Sequence, residues 1–258
     1  MENLSDFKQL KTFLDEKVEL YNQPKFIATD PISIPHQFQK KEDIEIVGFL
    51  IATIAWGNRK SILSNGKKLC NILEHEPYEF VLHHTDKDLE NCDGFVHRTF
   101  NAEDLKYFLK ALKFIYKQHG GLEAVFCHFQ TAASLQPAIH EFKHLFFQLD
   151  HHKRTEKHIS DPLKNSAAKR MNMFLRWMVR QDKNGVDFGI WKAISPSHLS
   201  CPLDVHSGRI ARELDLLERK QNDAKAVSEL DANLRLLDAN DPVKYDFALF
   251  GLGAFEEF

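Results

Sequence analysis

Lys169, in SAAKRMNMFLRWMVR (Ser166–Arg180), and Asp204, in PLDVHSGRIAREL (Pro202–Leu214), are residue types that together can do covalent chemistry. An amine is a nucleophile only when uncharged, and a neighbouring carboxylate can take a proton or balance a developing cation. Such a pair is suited to attack on the sugar of a nucleotide. Lys169 opens an amphipathic helix in which Met171, Phe174, Leu175 and Met178 share one face, with Arg170, Arg176 and Arg180 toward the other. The positive helix end and Arg170 both disfavour a further positive charge there, which favours the free amine. Asp204 precedes the helix expected over Val205–Leu217 and is placed as its N-cap. Taken singly, each has an ordinary reading: a surface lysine at a helix start and a capping carboxylate. His206 and Arg209 on the same first turns make the surroundings of Asp204 more polar than a cap requires.

A second constellation is HEFKH, His140–His144. On a helix its two histidines share a face at i and i+4, with Glu141 as the base of a zinc hydrolase and Asp150 as a third ligand. The same segment also reads as a plain amphipathic helix, with Ile139, Phe142, Leu145, Phe146 and Leu149 as its core face. Phe147 stands where the extended zinc motif has glycine. His151, His152 and His158 are alternative phosphate or substrate contacts.

The elements that must position these groups are helical almost throughout. Apolar residues recur every three or four positions in Phe7–Leu20, Ile44–Trp56, Leu105–Tyr116, Ile139–Leu149, Met171–Val179 and Ile210–Leu217. Convincing period-two alternation is absent, so the fold is expected to be all-α. Turn residues fall at Pro24–Pro35, Asp93–Gly94, Gly120–Gly121, Ser160–Pro162 and Ser195–Pro202, without a long linker. The acidic stretch Glu218–Asp241 reads as surface helices and turns, and KYDFALFGLGAFEEF as a segment that docks into the core.

The 258 residues are 43% hydrophobic and 28% charged, the balance of a soluble globular protein. No secretory leader is evident in MENLSDFKQLKTFLDEK, and the longest apolar run, Ile44–Trp56, is too short for a membrane span. A bacterial, cytoplasmic protein with no membrane partner is expected. Cys70, Cys92, Cys127 and Cys201 are scattered, which points to reduced thiols and against a four-cysteine iron–sulfur loop near the C-terminus. The net charge is −3, yet His151–Lys183 holds nine Lys/Arg (153, 154, 157, 164, 169, 170, 176, 180, 183) against Glu156, Asp161 and Asp182. A basic strip of this kind can hold phosphates, and it equally reads as a solvated helix face.

KRMN at Lys169–Asn172 resembles the start of the helix that follows the hairpin in bifunctional helix-hairpin-helix DNA glycosylases. LDVHSGR at Leu203–Arg209 is similar to that superfamily's aspartate segment, and Glu45–Leu69 to its early barrel helix with a DNA-facing polar loop. YDFALFGLG at Tyr245–Gly253 is a weaker fourth match. The chain as a whole resembles an uncharacterised bacterial family, a remote branch of this superfamily.

The resemblance implies a two-lobed all-α fold with an interlobe cleft. One lobe would be a helical barrel over 41–194, including a hairpin-like segment 159–170, and the other would combine 1–40 with 195–258. It implies a DNA glycosylase/AP lyase that excises a damaged base, an oxidised purine among the candidates, through a lysine Schiff base and without a cofactor. Lys169 would be the nucleophile and Asp204 its partner. Trp56, Asn58, Arg59, His158, Arg170, Asn172, His206 and Arg209 would meet DNA. A flipped base needs an aromatic to stack on, and Trp56, Trp177, Trp191, Phe247 and Phe250 are available. The superfamily's hairpin grips phosphate through a glycine-rich turn, whereas ISDPLKNSAAK has no glycine, so that contact would fall to Lys164, Asn165 and Ser166. The lysine-to-aspartate spacing is also longer than usual, through an insertion around Gln181–Leu199, as in some archaeal oxidised-guanine glycosylases. Two other readings stay open: a non-catalytic nucleic-acid-binding protein of the same fold, and the zinc hydrolase of the HExxH motif.

Overall fold

Helical periodicity over most of the chain becomes helix in the computed structural model, which describes residues 2–256. In chain order the α-helices are α1 (Glu2–Tyr21), α2 (Pro24–Ile27), α3 (Lys41–Ile54), α4 (Arg59–Ile72), α5 (Pro77–His83), α6 (Ala102–Gln118), α7 (Leu122–Phe129), α8 (Gln136–Phe146), α9 (Lys169–Val179), α10 (Val205–Glu213), α11 (Ala224–Leu237) and α12 (Tyr245–Phe255). The fold is all-α. Its strands among the described residues are one short antiparallel pair, β1 (Val96–His97) and β2 (Phe100–Asn101), which periodicity did not signal. No helix among the described residues is long and apolar enough to cross a membrane.

The chain divides into two compact units. One comprises residues 27–131 and 135–161. Its core is aromatic: Phe49 of α3 lies against Phe108 of α6 and against Phe142 and Phe146 of α8, with ring centroids 5.4–5.8 Å apart. Such pairs add about 0.5–1.5 kcal/mol each beyond the burial of their area. The apolar run that forms α3 carries an acid, Glu45, which is buried and accepts a 2.6 Å hydrogen bond from the Tyr116 hydroxyl. Asp104 is wholly buried at the start of α6, where it forms a capping box with Asn101. Arg154, Thr155 and His158 converge on the same carboxylate, which fastens residues 153–158 to the end of that helix. Burial raises the Asp104 pKa, but the Asn101 amide, Thr155, His158 and Arg154 outweigh it and leave the group below its ordinary value.

The other unit comprises residues 1–26, 132–134 and 162–258. Leu14 and Val18 of α1, Ile210 of α10, Leu230 and Leu234 of α11, and Tyr245, Leu249 and Leu252 of α12 form its core. The C-terminal aromatic segment therefore docks as its composition suggests. The acidic stretch 218–241 is more than surface, because α11 turns Ala226, Val227, Leu230, Leu234 and Leu237 inward. Helices α1 and α12 approach so closely that a Cβ on Gly251 would meet the Tyr21 ring at 2.2 Å, and only glycine fits there. All four cysteines are free thiols, and Cys201 is fully buried.

Candidate functional site

Lys169 is the first residue of α9. The helix begins without a side-chain cap: Ala168 before it adopts the left-handed region, φ 44° and ψ 34°. Asn165 is also left-handed, with φ 64°. These are conformations that glycine adopts at no steric cost and that other residues adopt at about 1–2 kcal/mol. The glycine-free segment thus makes tight left-handed turns with an asparagine and an alanine. The Ser166 hydroxyl accepts from the Ala168 amide at 3.1 Å, and Asn172 reaches back from α9 to donate to the Ala167 carbonyl at 3.0 Å.

Asp204 is the N-cap of α10. Its Oδ1 accepts from the amides of His206 at 2.8 Å and Ser207 at 3.0 Å, and its own amide donates to the Ser207 hydroxyl at 2.9 Å. Asn222 donates to its carbonyl at 2.8 Å. One carboxylate oxygen is therefore committed to the helix end. Oδ2 lies 3.5 Å from the Lys169 amine. The amine and the carboxylate keep 33% and 20% of their side-chain exposure, so both are open to a ligand while their backbones are held.

A buried charge system lies within electrostatic reach of this pair. Asp246 of α12 is buried, and Arg176 of α9 donates to it through a short hydrogen bond while also pairing with Asp187 at 3.2 Å. Burial pushes the Asp246 carboxyl up to about 6. Arg176 and Lys169 pull it down, whereas Asp204 adds to the rise. One turn along α9, Arg180 is buried among Asp182, Asp187 and Asp241, and those acids overcome the desolvation that would weaken its charge. Buried charges persist only when paired in this way.

Residues 30–255 match the model of a family described as a protein of unknown function, DUF2400. The chain belongs to that family. No curated protein and no solved structure matches it.

The DUF2400 chain redistributes several residues that sequence reasoning assigned to DNA contact. Around Lys169 and Asp204 it does bring together His206, whose ring nitrogen lies 3.1 Å from the Gly253 carbonyl and whose ring meets Phe250 edge-on, and Arg209, which pairs with Glu213 at 3.0 Å. Arg170 stands next to Lys169, and burial lowers its pKa to about 10. Asn172 is buried and spent on the Ala167 carbonyl, so it supports the helix start and is closed to a ligand. Lys164 is exposed, but Asn165 donates to the Asp223 carboxylate at 3.3 Å and Ser166 forms a β-bridge with Asp223, the N-cap of α11. This segment is thereby tied to another helix end, and an acid occupies the Asn165 amide that would have met phosphate.

In the other unit, His158 is buried against Asp104 and Phe100, which removes it from any surface contact. Trp56 is half-buried under Arg98, whose guanidinium carbon lies 4.6 Å from its ring centre. Asn58 caps α4 by accepting from the Ser61 amide, with Arg59 following as the first helical residue. Of the aromatics considered for stacking, Trp177, Trp191 and Phe247 are core residues, which leaves Trp56 and Phe250. The basic strip is thinner than its composition: Arg176 and Arg180 are buried in ion pairs, Arg154 holds Asp104, and exposed cations remain at Lys153, Lys157, Lys164 and Lys183.

His140 and His144 stand together on α8 with ring centroids 4.4 Å apart. Among the described residues their third partner is Asp161, not Asp150, which lies outside the group. Residue spacing favours Asp150 only if the helix continues to it, and α8 stops at Phe146. Sequence reasoning also missed Asp246, Ser207 and Asn222. Asp246 carried a signal: an acid inside the apolar run YDFALF must be paired if that run is buried.

Proposed function

We propose that this chain is a remote helix-hairpin-helix glycosylase-type protein that acts on damaged DNA as a glycosylase/AP lyase, with Lys169 as nucleophile and Asp204 as its partner. The observation that carries the reading is the division of labour on Asp204: Oδ1 is fixed by two helix-end amides while Oδ2 faces the Lys169 amine at 3.5 Å. A carboxylate held this way needs no reorganisation when charge develops beside it. In the proposed step Asp204 accepts a proton from the Lys169 ammonium. The neutral amine then attacks the sugar anomeric carbon as the bond to the damaged base breaks, and the base leaves with the bonding pair and picks up a proton. Loss of the second amine proton and ring opening give the Schiff base, from which β-elimination cleaves the strand. Phe250, beside His206, is the half-exposed aromatic of the same unit that suits base contact.

The engagement of Asn165 and Ser166 with Asp223 favours a second reading, a protein of the same fold that binds nucleic acid without excising a base. A panel of labelled duplexes carrying oxidised purines, other damaged bases or an abasic site separates the two. Strand scission at any lesion supports the enzyme. Saturable binding to every duplex with no cleavage at enzyme excess supports the second reading.

A further inference from the structure

We infer that His140, His144 and Asp161 form a site for a divalent transition-metal ion such as Zn²⁺. These residues lie within one unit and are independent of the DNA reading. One ligating atom from each of the three lies within 4.8 Å of the others. The site is built from the helix upward. Ile139, Phe142, Leu145 and Phe146 hold one face of α8 in the core, which fixes the helix against rotation and sets His140 and His144 one turn apart on its other side. His140 is half-buried and His144 exposed.

Asp161 is almost completely buried, and both its oxygens face Nδ1 of His140, at 2.9 and 3.0 Å. The stretch leading to it is clamped by Lys143, which lies between the two histidines in sequence and donates to the carbonyls of Glu156 at 3.1 Å and Ile159 at 2.6 Å. The carboxylate is thus presented to the imidazole by a fixed backbone.

Because a carboxylate only accepts, Nδ1 of His140 carries the proton in the ion-free protein. Two bonds of about 2.1 Å to one ion, at the tetrahedral angle, span about 3.4 Å. The separation between Nδ1 and Asp161 is within about 0.5 Å of that span, so a small opening of the pair admits an ion between them. Binding at Nδ1 would leave the ring proton on Nε2, the exposed His144 ring would swing in as third ligand, and water would complete the shell. Two imidazoles with one carboxylate suit Zn²⁺, Co²⁺, Ni²⁺ or Cu²⁺ and not Mg²⁺ or Ca²⁺, which prefer an all-oxygen set. Three protein ligands leave a position open, unlike a closed structural site.

The test is titration of chelator-stripped protein with ZnCl₂ against a chromophoric competitor. The expected result is one equivalent of Zn²⁺ per chain. Affinity should fall at least about tenfold in His144→Ala and in Asp161→Asn and stay unchanged in His152→Ala, an exposed histidine outside the group. His144→Ala removes an exposed ring, so its circular dichroism should match the parent. Absence of saturable 1:1 binding overturns the inference. So does binding that is indifferent to His144→Ala or lost in His152→Ala.

Discussion

Replacing Asp246 by Asn tests whether a buried carboxylate really underlies the Lys169–Asp204 pair. In the folded protein the Asp246 carboxyl titrates at about 6 against an ordinary 3.8, chiefly through burial that Arg176 only partly offsets. Because the folded value lies above the unfolded one, the folded state binds more protons between these pH values. Stability must then fall as pH rises through that window. The interval corresponds to about 3 kcal/mol in full, of which roughly 2.5 kcal/mol falls between pH 4 and pH 8. Asn is nearly isosteric and does not titrate, so the variant lacks this component at every pH, whatever fixed cost follows from leaving Arg176 with Asp187 alone. The assay is urea unfolding of both proteins from pH 4 to pH 8, followed by tryptophan fluorescence. Trp177 and Trp191 are buried in the same unit as Asp246, so the signal reports the relevant transition. The variant should gain about 2.5 kcal/mol relative to the parent across the range. Parallel stability curves would refute the reasoning, because they would mean that Asp246 titrates alike in both states.

Asp231→Asn should show the same pH trend in the same assay, since burial also raises Asp231 to about 6. Arg176→Met should cost about 3–5 kcal/mol in thermal or urea unfolding, because it leaves the buried Asp246 without its cationic partner; a loss below 1 kcal/mol would contradict the network. Ala168→Val should destabilise by about 2–3 kcal/mol, since a β-branched residue is forced into φ 44° at a buried position. Asp204→Asn should leave stability within about 0.5 kcal/mol, because asparagine caps helices nearly as well. Lesion cleavage by that variant should slow at least about 100-fold, and unchanged cleavage would reduce Asp204 to a cap.

Helix content was legible because the three-to-four-residue apolar spacing of Leu105–Tyr116 and Met171–Val179 leaves one face to bury, and these segments lie inside α6 and α9. Ends were less legible. The spacing runs to Leu217, but α10 stops at Glu213, and Asp215 turns left-handed just beyond it. The Lys169–Asp204 juxtaposition could be suspected from residue types, since each opens a helix, whereas their 3.5 Å separation depends on how α9 and α10 pack. Burial was the least legible property. Arg176, Arg180 and His158 look like surface contacts in a basic stretch, and only the placement of Asp187, in the loop after α9, and of Asp246 and Asp104, distant in sequence, turns them into interior pairs. For the same reason Asp161, not Asp150, meets the histidines of α8. Hydrophobic period predicts faces within one helix but not which polar groups meet across elements.

The central claim is that the Lys169 amine attacks a nucleotide's sugar, and covalent trapping tests it most directly. The protein is incubated with a labelled duplex containing one abasic site in the presence of borohydride, beside Lys169→Ala under the same conditions. The account predicts a stable protein–DNA adduct with the parent chain and none with Lys169→Ala, although the variant still folds and binds the duplex. Equal trapping by both proteins, or no trapping by the parent, would contradict it.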